Sequence, residues 1–390
     1  MTRLLRFPLI LSALIALLAA MWAGLIRLGW QLPPLDLNLP MLHGPLMVNG
    51  FLGVVIGLER AVALSAPNVK HHVYWPYLAP ISVGLGTLVL FISGQPGALL
   101  IAIGSLVMVA AFIFIIRQHT ALFTIMMGMG ALSWFIGNVL WLLGQPIYTL
   151  ILWWMGFPLF TIIGERLELS RILRLSKLSY WLFTLACGIF LIGAVVSLSN
   201  LDLGMRIAGL GEIACALWLF RYDIARKTLQ KTGMPRYIAL CLLTGYGWLG
   251  VSGAFNLYAG VTYAGPMYDA ALHTVFVGFV FSMIFGHALI ILPAVLGLPI
   301  RFDANLYVSL FLLHASLLLR VMGDALLVVE LRRWGGLMNE IALLLFLGTT
   351  VYTVAAARRA SQTPTAAPAA QSPAITADSG ARGNRRRDQR

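Results

Sequence analysis

The sequence predicts an all-α polytopic membrane protein, an integral bundle of about twelve transmembrane helices. Three observations carry this. Hydrophobic residues make up 60% of the 390 and charged residues only 11%, whereas a soluble domain carries about 25% charged residues. No soluble fold could bury that much apolar surface. The apolar residues also fall in runs of about twenty, the length that crosses ~30 Å of hydrocarbon as a helix. Finally, the runs are continuous rather than alternating, which favours helices over the strands of a transmembrane barrel.

In order, the runs are 7–28, 42–64, 76–94, 97–116, 121–143, 147–164, 180–199, 203–220, 237–259, 268–292, 304–322 and 337–357. The first follows Arg3 and Arg6, is longer than a secretory apolar region and reaches Arg27 with no small-residue cleavage site. It reads as a retained span rather than a signal peptide. The third and fourth share the short turn Ser93-Gly94-Gln95-Pro96-Gly97, and the fifth and sixth share Gly144-Gln145-Pro146. Residues 1–359 therefore form one twelve-span domain. Residues 360–390, "ASQTPTAAPAAQSPAITADSGARGNRRRDQR", are rich in Ala, Pro, Ser and Thr and end in an arginine cluster. They cannot build a core and are expected to be a disordered basic tail that suits anionic lipid.

Charge sets the orientation. The formal net charge is +13, and with the N-terminus inside, 22 of the 27 Lys and Arg residues fall in cytoplasmic segments or the tail. This is the positive-inside bias of a bacterial-type inner (cytoplasmic) membrane protein with both termini cytoplasmic. The bilayer, not nucleic acid, is the partner the charge implies. Cys187, Cys215 and Cys241 each lie inside an apolar run, with no CxxC pair. They read as packed hydrophobes, not as a disulfide or thiolate site.

The chemistry lies in the histidines. His71, His72 and His119 fall in or beside cytoplasmic loops, while His43, His273, His287 and His314 fall inside spans. Ionisable residues are rare there and mark function. Helix rise places His43 and His273 in one layer near the outer surface, His287 ~21 Å deeper than His273, and His314 near mid-depth. Asp269 precedes His273 by four residues, and Arg320 precedes Asp324 by four, so each pair shares a helix face and Arg320 can pair with Asp324. A carboxylate that fixes an imidazole tautomer supports a metal ligand. A buried arginine can hold an anion such as a haem propionate. Met47, one turn from His43, is a weaker ligand candidate. Glu59–Arg60 and Glu165–Arg166 read as inner-surface ion pairs that lock helix ends. Gly53 and Gly57 form a GxxxG step for close helix packing.

Several stretches together resemble the NnrS-like family of multi-span haem- and copper-associated proteins linked to nitric oxide metabolism and stress. They are "LHGPLMVNGFLGVVIGL", "GFPLFTIIGERLELSR", "GYGWLGVSG", "DAALHTVFVGFVFSMIFGH" and "HASLLLRVMGD". The likeness covers the order of most spans but about a quarter of the residues. The chain departs from the family where a histidine pair is expected: His43 is followed by Gly44-Pro45. The resemblance implies a divergent member that holds haem, with copper as a second metal. His43, His273, His287 and His314 would be the metal ligands, Arg320 and Asp269 would support the cofactor, and nitric oxide or an electron donor would be the partner. Two other classes fit the residues alone. One is a secondary transporter using buried His, Asp and Arg as proton relays or as an anion site. The other is a scaffold whose histidines only hydrogen-bond between helices.

Overall fold

The structure, a computed structural model, describes residues 6–33, 38–66, 71–298 and 300–362. The expected tail beyond Gln362 lies outside them. Eleven of the described helices are long and apolar enough to cross a bilayer, so the chain is an all-α, multi-pass membrane protein. We number the spans α1 Phe7–Arg27, α2 Leu39–Leu64, α3 Trp75–Leu90, α4 Gly94–Gln118, α5 Leu122–Leu142, α6 Ile147–Leu173, α7 Lys177–Val196, α8 Leu201–Tyr222, α9 Met234–Ala259, α10 Pro266–Leu296, α11 Leu306–Ala325 and α12 Val329–Gln362. The shorter apolar helix α3 fills the twelfth place and is joined to α4 by a three-residue turn. Helices adjacent in sequence pack as antiparallel hairpins, most closely α5 with α6 and α11 with α12.

Burial ranks the spans. The most enclosed is α6, with 83% of its apolar window buried, followed by α2 and α10 at 61% each. These three central helices come at every fourth span. The side chains of α6 explain its place: Trp153, Trp154, Phe157 and Phe160 are all buried. Trp134 of α5 stacks on Phe157, with ring centres 4.4 Å apart, and its indole N–H donates to Asn49 Oδ1 of α2 at 2.6 Å. Trp154 donates likewise to Asn138 Oδ1 at 3.0 Å. These two buried indoles thus find acceptors inside the bundle, where no water can serve, whereas the Trp153 indole N–H has none among the described residues.

Neither histidine-bearing central helix is a plain α-helix. In α2, a single turn at His43–Pro45 passes into a π-helical stretch, Leu46–Gly53, before α-geometry resumes at Val54. In α10, Pro266–His273 passes into the π-helical stretch Thr274–Phe281. Such wide turns are rare and usually brief, and they collect at functional sites. Both begin within three residues of a histidine.

The bundle end remote from His43 carries ion pairs of its own. Arg60 of α2 bonds both Glu59 and Glu165. Arg166, expected to join that group, turns away and grips the buried Asp223 through Nε at 2.8 Å and Nη2 at 3.1 Å. Asp223 also accepts from the Ala225 backbone N–H at 2.6 Å, so the pair fixes the chain where it leaves α8. The sequence pattern could place Asp223 in a loop but could not show that it folds back on α6.

Candidate functional site

A cavity of about 740 Å³ opens at the histidine end of the bundle, within the ~300–1,000 Å³ range of ligand sites. Its walls are mainly apolar, from α1, α2, α6 and α10, with Arg27, Tyr148, Tyr263 and Arg332 among the residues that line it. Tyr263 is exposed and packs edge-on against Tyr148 at 4.9 Å. Phe51 and Phe281 stack nearly parallel with ring centres 5.7 Å apart, and both line the cavity.

His43 and His273 meet in this cavity, with ring centres 6.2 Å apart and ring planes 30° from parallel. The layer expected from helix rise is therefore formed. His43 Nδ1 lies 2.7 Å from the Ala20 carbonyl oxygen of α1, and His273 Nδ1 lies 2.8 Å from that of Asp269. A carbonyl oxygen only accepts, so each Nδ1 carries a proton and each neutral ring keeps its lone pair on Nε2. Among the described residues, neither Nε2 has a hydrogen-bond partner. A Cβ placed on Gly24 would stand 3.0 Å from His43 Cε1 and 3.3 Å from Glu340 Oε1. The bare glycine therefore leaves room for the imidazole beside that carboxyl.

The approach of α10 to this site is fixed by α8. Arg206 donates to the carbonyls of Leu257 and Tyr258 at 2.8 and 2.9 Å, and the Val261 N–H donates to Asp202 at 3.0 Å. Gly260, with φ +63°, turns tightly against Asp202 where a side chain would collide. One turn into α10, Asp269 takes two parallel hydrogen bonds from Arg320 of α11, 2.7 Å from Nε and 2.8 Å from Nη2.

This geometry corrects two expectations. Arg320 does not pair with Asp324 on its own helix but crosses to Asp269. Asp324, buried, instead faces Arg332 at 3.9 Å, and neither of its oxygens has a hydrogen bond. The Asp269 carboxylate is also not what orients His273. The backbone carbonyl does that, and the carboxylate stands 3.4 Å from Nδ1.

The six expected site residues divide. His43, His273, Asp269 and Arg320 all line the cavity. His287 does not. Its Nδ1 lies 2.7 Å from the Met283 carbonyl oxygen, and its Nε2 faces the Arg166 guanidinium at 3.5 Å, at the opposite end. A cation in that place opposes metal binding. His314 also lies apart. Trp248 Nε1 donates to its Nδ1 at 3.0 Å, and its Nε2 is 2.8 Å from Thr244 Oγ1, so both nitrogens are in use. The sequence reading missed Glu340 and Arg27, which are ordinary-looking acidic and basic residues near predicted span ends. It also missed Glu212, a lone acid in "GMRIAGLGEIACALWLF". Glu212 is wholly buried and accepts from Asn256 at 2.9 Å.

The donor set limits what the cavity could hold. Among the described residues, no three His, Cys, Asp or Glu side chains are grouped to bind a metal ion. Two imidazoles are too few for a copper centre with three or four protein ligands. They suffice for haem, whose macrocycle supplies the other donors. The residues present fit haem.

Residues 6–355 match the family described as Domain of unknown function (DUF8744), and the chain belongs to that family. No curated protein and no solved structure matches it.

Proposed function

We propose that this DUF8744-family chain is a membrane haem protein, in which His43 and His273 would hold the haem, that works in nitric oxide metabolism or the nitrosative-stress response. The observation that carries the reading is the histidine pair itself. Two rings from two of the three central helices share one cavity, each with Nδ1 tied to a carbonyl and Nε2 without a partner among the described residues. When bound, a haem would supply one-electron chemistry and an iron that takes diatomic ligands.

The chain's own residues do the rest. The Ala20 and Asp269 carbonyls hold both imidazoles in the tautomer that presents Nε2. Bonds of this kind also raise ligand basicity. Arg320 and Asp269 neutralise one another, so they anchor α10 without adding net charge to the cavity. Arg27 and Arg332 line the cavity and suit carboxylate groups of a cofactor. Copper, as a second metal, would need ligands from outside the histidine pair. The positive-inside bias and the resemblance support an inner-membrane location with both termini cytoplasmic.

The test is a reduced-minus-oxidised visible spectrum of the detergent-purified protein, with iron and copper measured on the same sample. A Soret band with near-stoichiometric iron, lost in both His43→Ala and His273→Ala and kept in His72→Ala, is the expected result. A colourless, iron-free protein after haem-supplemented expression overturns it. One observation favours a second reading, a secondary transporter. The cavity opens at one end of the bundle, as a substrate site facing one side of the membrane would. Substrate flux in liposomes without bound haem would support that reading.

A further inference from the structure

A second cavity, of about 460 Å³, lies at the opposite end of the bundle, between α8, α9 and the connection that joins them. Leu217 and Phe220 of α8, Leu229 of the connection and Leu243 of α9 form its walls, and Arg221 and Arg226 complete the lining. Leu217 is 63% exposed and Phe220 37%. On a membrane-spanning helix, such a face meets acyl chains.

Charge identifies the occupant. The connection and its flanks carry Arg221, Arg226, Lys227, Lys231 and Arg236, all exposed, with Asp223 as the one acid among them. Asp223 is consumed by Arg166. None of the five cations forms an ion pair among the described residues; Arg221 only lies over the Tyr222 ring at 5.2 Å. Two uncompensated guanidiniums thus border an apolar groove at the end of a span. Planar guanidinium forks match phosphate oxygens, and basic pockets between spans are where anionic headgroups bind.

We propose that this groove binds one anionic phospholipid. Its phosphate sits on Arg221 and Arg226, and an acyl chain lies along Leu217, Phe220 and Leu243. The site is independent of the histidine cavity and of any cofactor there.

The test is thermal melting of the full chain in detergent, titrated with phosphatidylglycerol, phosphatidylcholine or inorganic phosphate. Phosphatidylglycerol should raise the melting temperature saturably, by on the order of a few degrees. Phosphatidylcholine and free phosphate should not. The double variant Arg221→Gln/Arg226→Gln should melt at the wild-type temperature without lipid and lose the shift, while Lys227→Gln/Lys231→Gln should keep it. Three results would overturn the site: an equal shift with phosphatidylcholine, a shift with phosphate alone, or equal loss in both double variants. Where the arginine variant melts low without lipid, native mass spectrometry of lipid retained by the wild type decides. Equal retention of both lipids counts against the site.

Discussion

Arg320 and Asp269 are joined by two parallel hydrogen bonds, 2.7 and 2.8 Å long, that cross from α11 to the first turn of α10. Four residues on, His273 takes its orientation from the carbonyl of that same Asp269. The ion pair therefore sets the position of the histidine without bonding to it.

Arg320→Ala should destabilise the protein by about 3–5 kcal/mol, because it strands the Asp269 carboxylate inside the bundle. Arg320→Lys keeps the charge but not the fork, so it should fall between the two. Melting curves in one detergent check the order. Wild-type stability in Arg320→Ala would show that the pair contributes nothing.

Gly24→Ala should give a stable protein with an altered site. Alanine is the better helix former by about 1 kcal/mol, but the added methyl would press on His43 Cε1 at 3.0 Å and Nδ1 at 3.2 Å. The imidazole must then shift by a few tenths of an ångström, which strains its bond to the Ala20 carbonyl. Bound haem should fall while the melting temperature holds, as read from absorbance and calorimetry on the same sample. Full haem content would show that the ring can shift without cost.

His314→Ala and His287→Ala should leave haem content unchanged, because neither ring reaches the cavity. His314→Ala should still lower stability by about 1 kcal/mol through its lost bonds to Trp248 and Thr244. Loss of haem in either variant would move the ligand set away from the His43–His273 pair.

Glu212→Leu should cost about 1–3 kcal/mol, since it leaves the Asn256 amide N–H buried without an acceptor. Glu212→Gln preserves an acceptor for that group and should melt close to wild type. Equal melting of the two would mean that Asn256 finds another partner.

The spans were legible because bilayer thickness fixes their length and composition, and the His43–His273 layer was legible because helix rise is constant. The partners of the charged residues were not. Arg320 has acids four residues ahead on its own helix and across on α10, and a one-dimensional pattern prefers the local one. Packing brings α10 closer, and the two-pronged geometry decides. The same limit hid Arg166, which passes over the acids Glu59 and Glu165 for an aspartate in the connection after α8. His287 and His314 met the rule that intramembrane histidines are functional, yet one sits against a guanidinium and the other spends both nitrogens on Trp248 and Thr244. The π-helical stretches left no signature in the apolar runs, since one extra residue per turn changes no composition.

Phe51 and Phe281 each follow their histidine by eight residues, and their stacked rings both line the cavity. The two rings thereby tie α2 to α10 at the same step along each chain from its histidine. A twist of either helix is passed to the other, so the two imidazoles keep a common register.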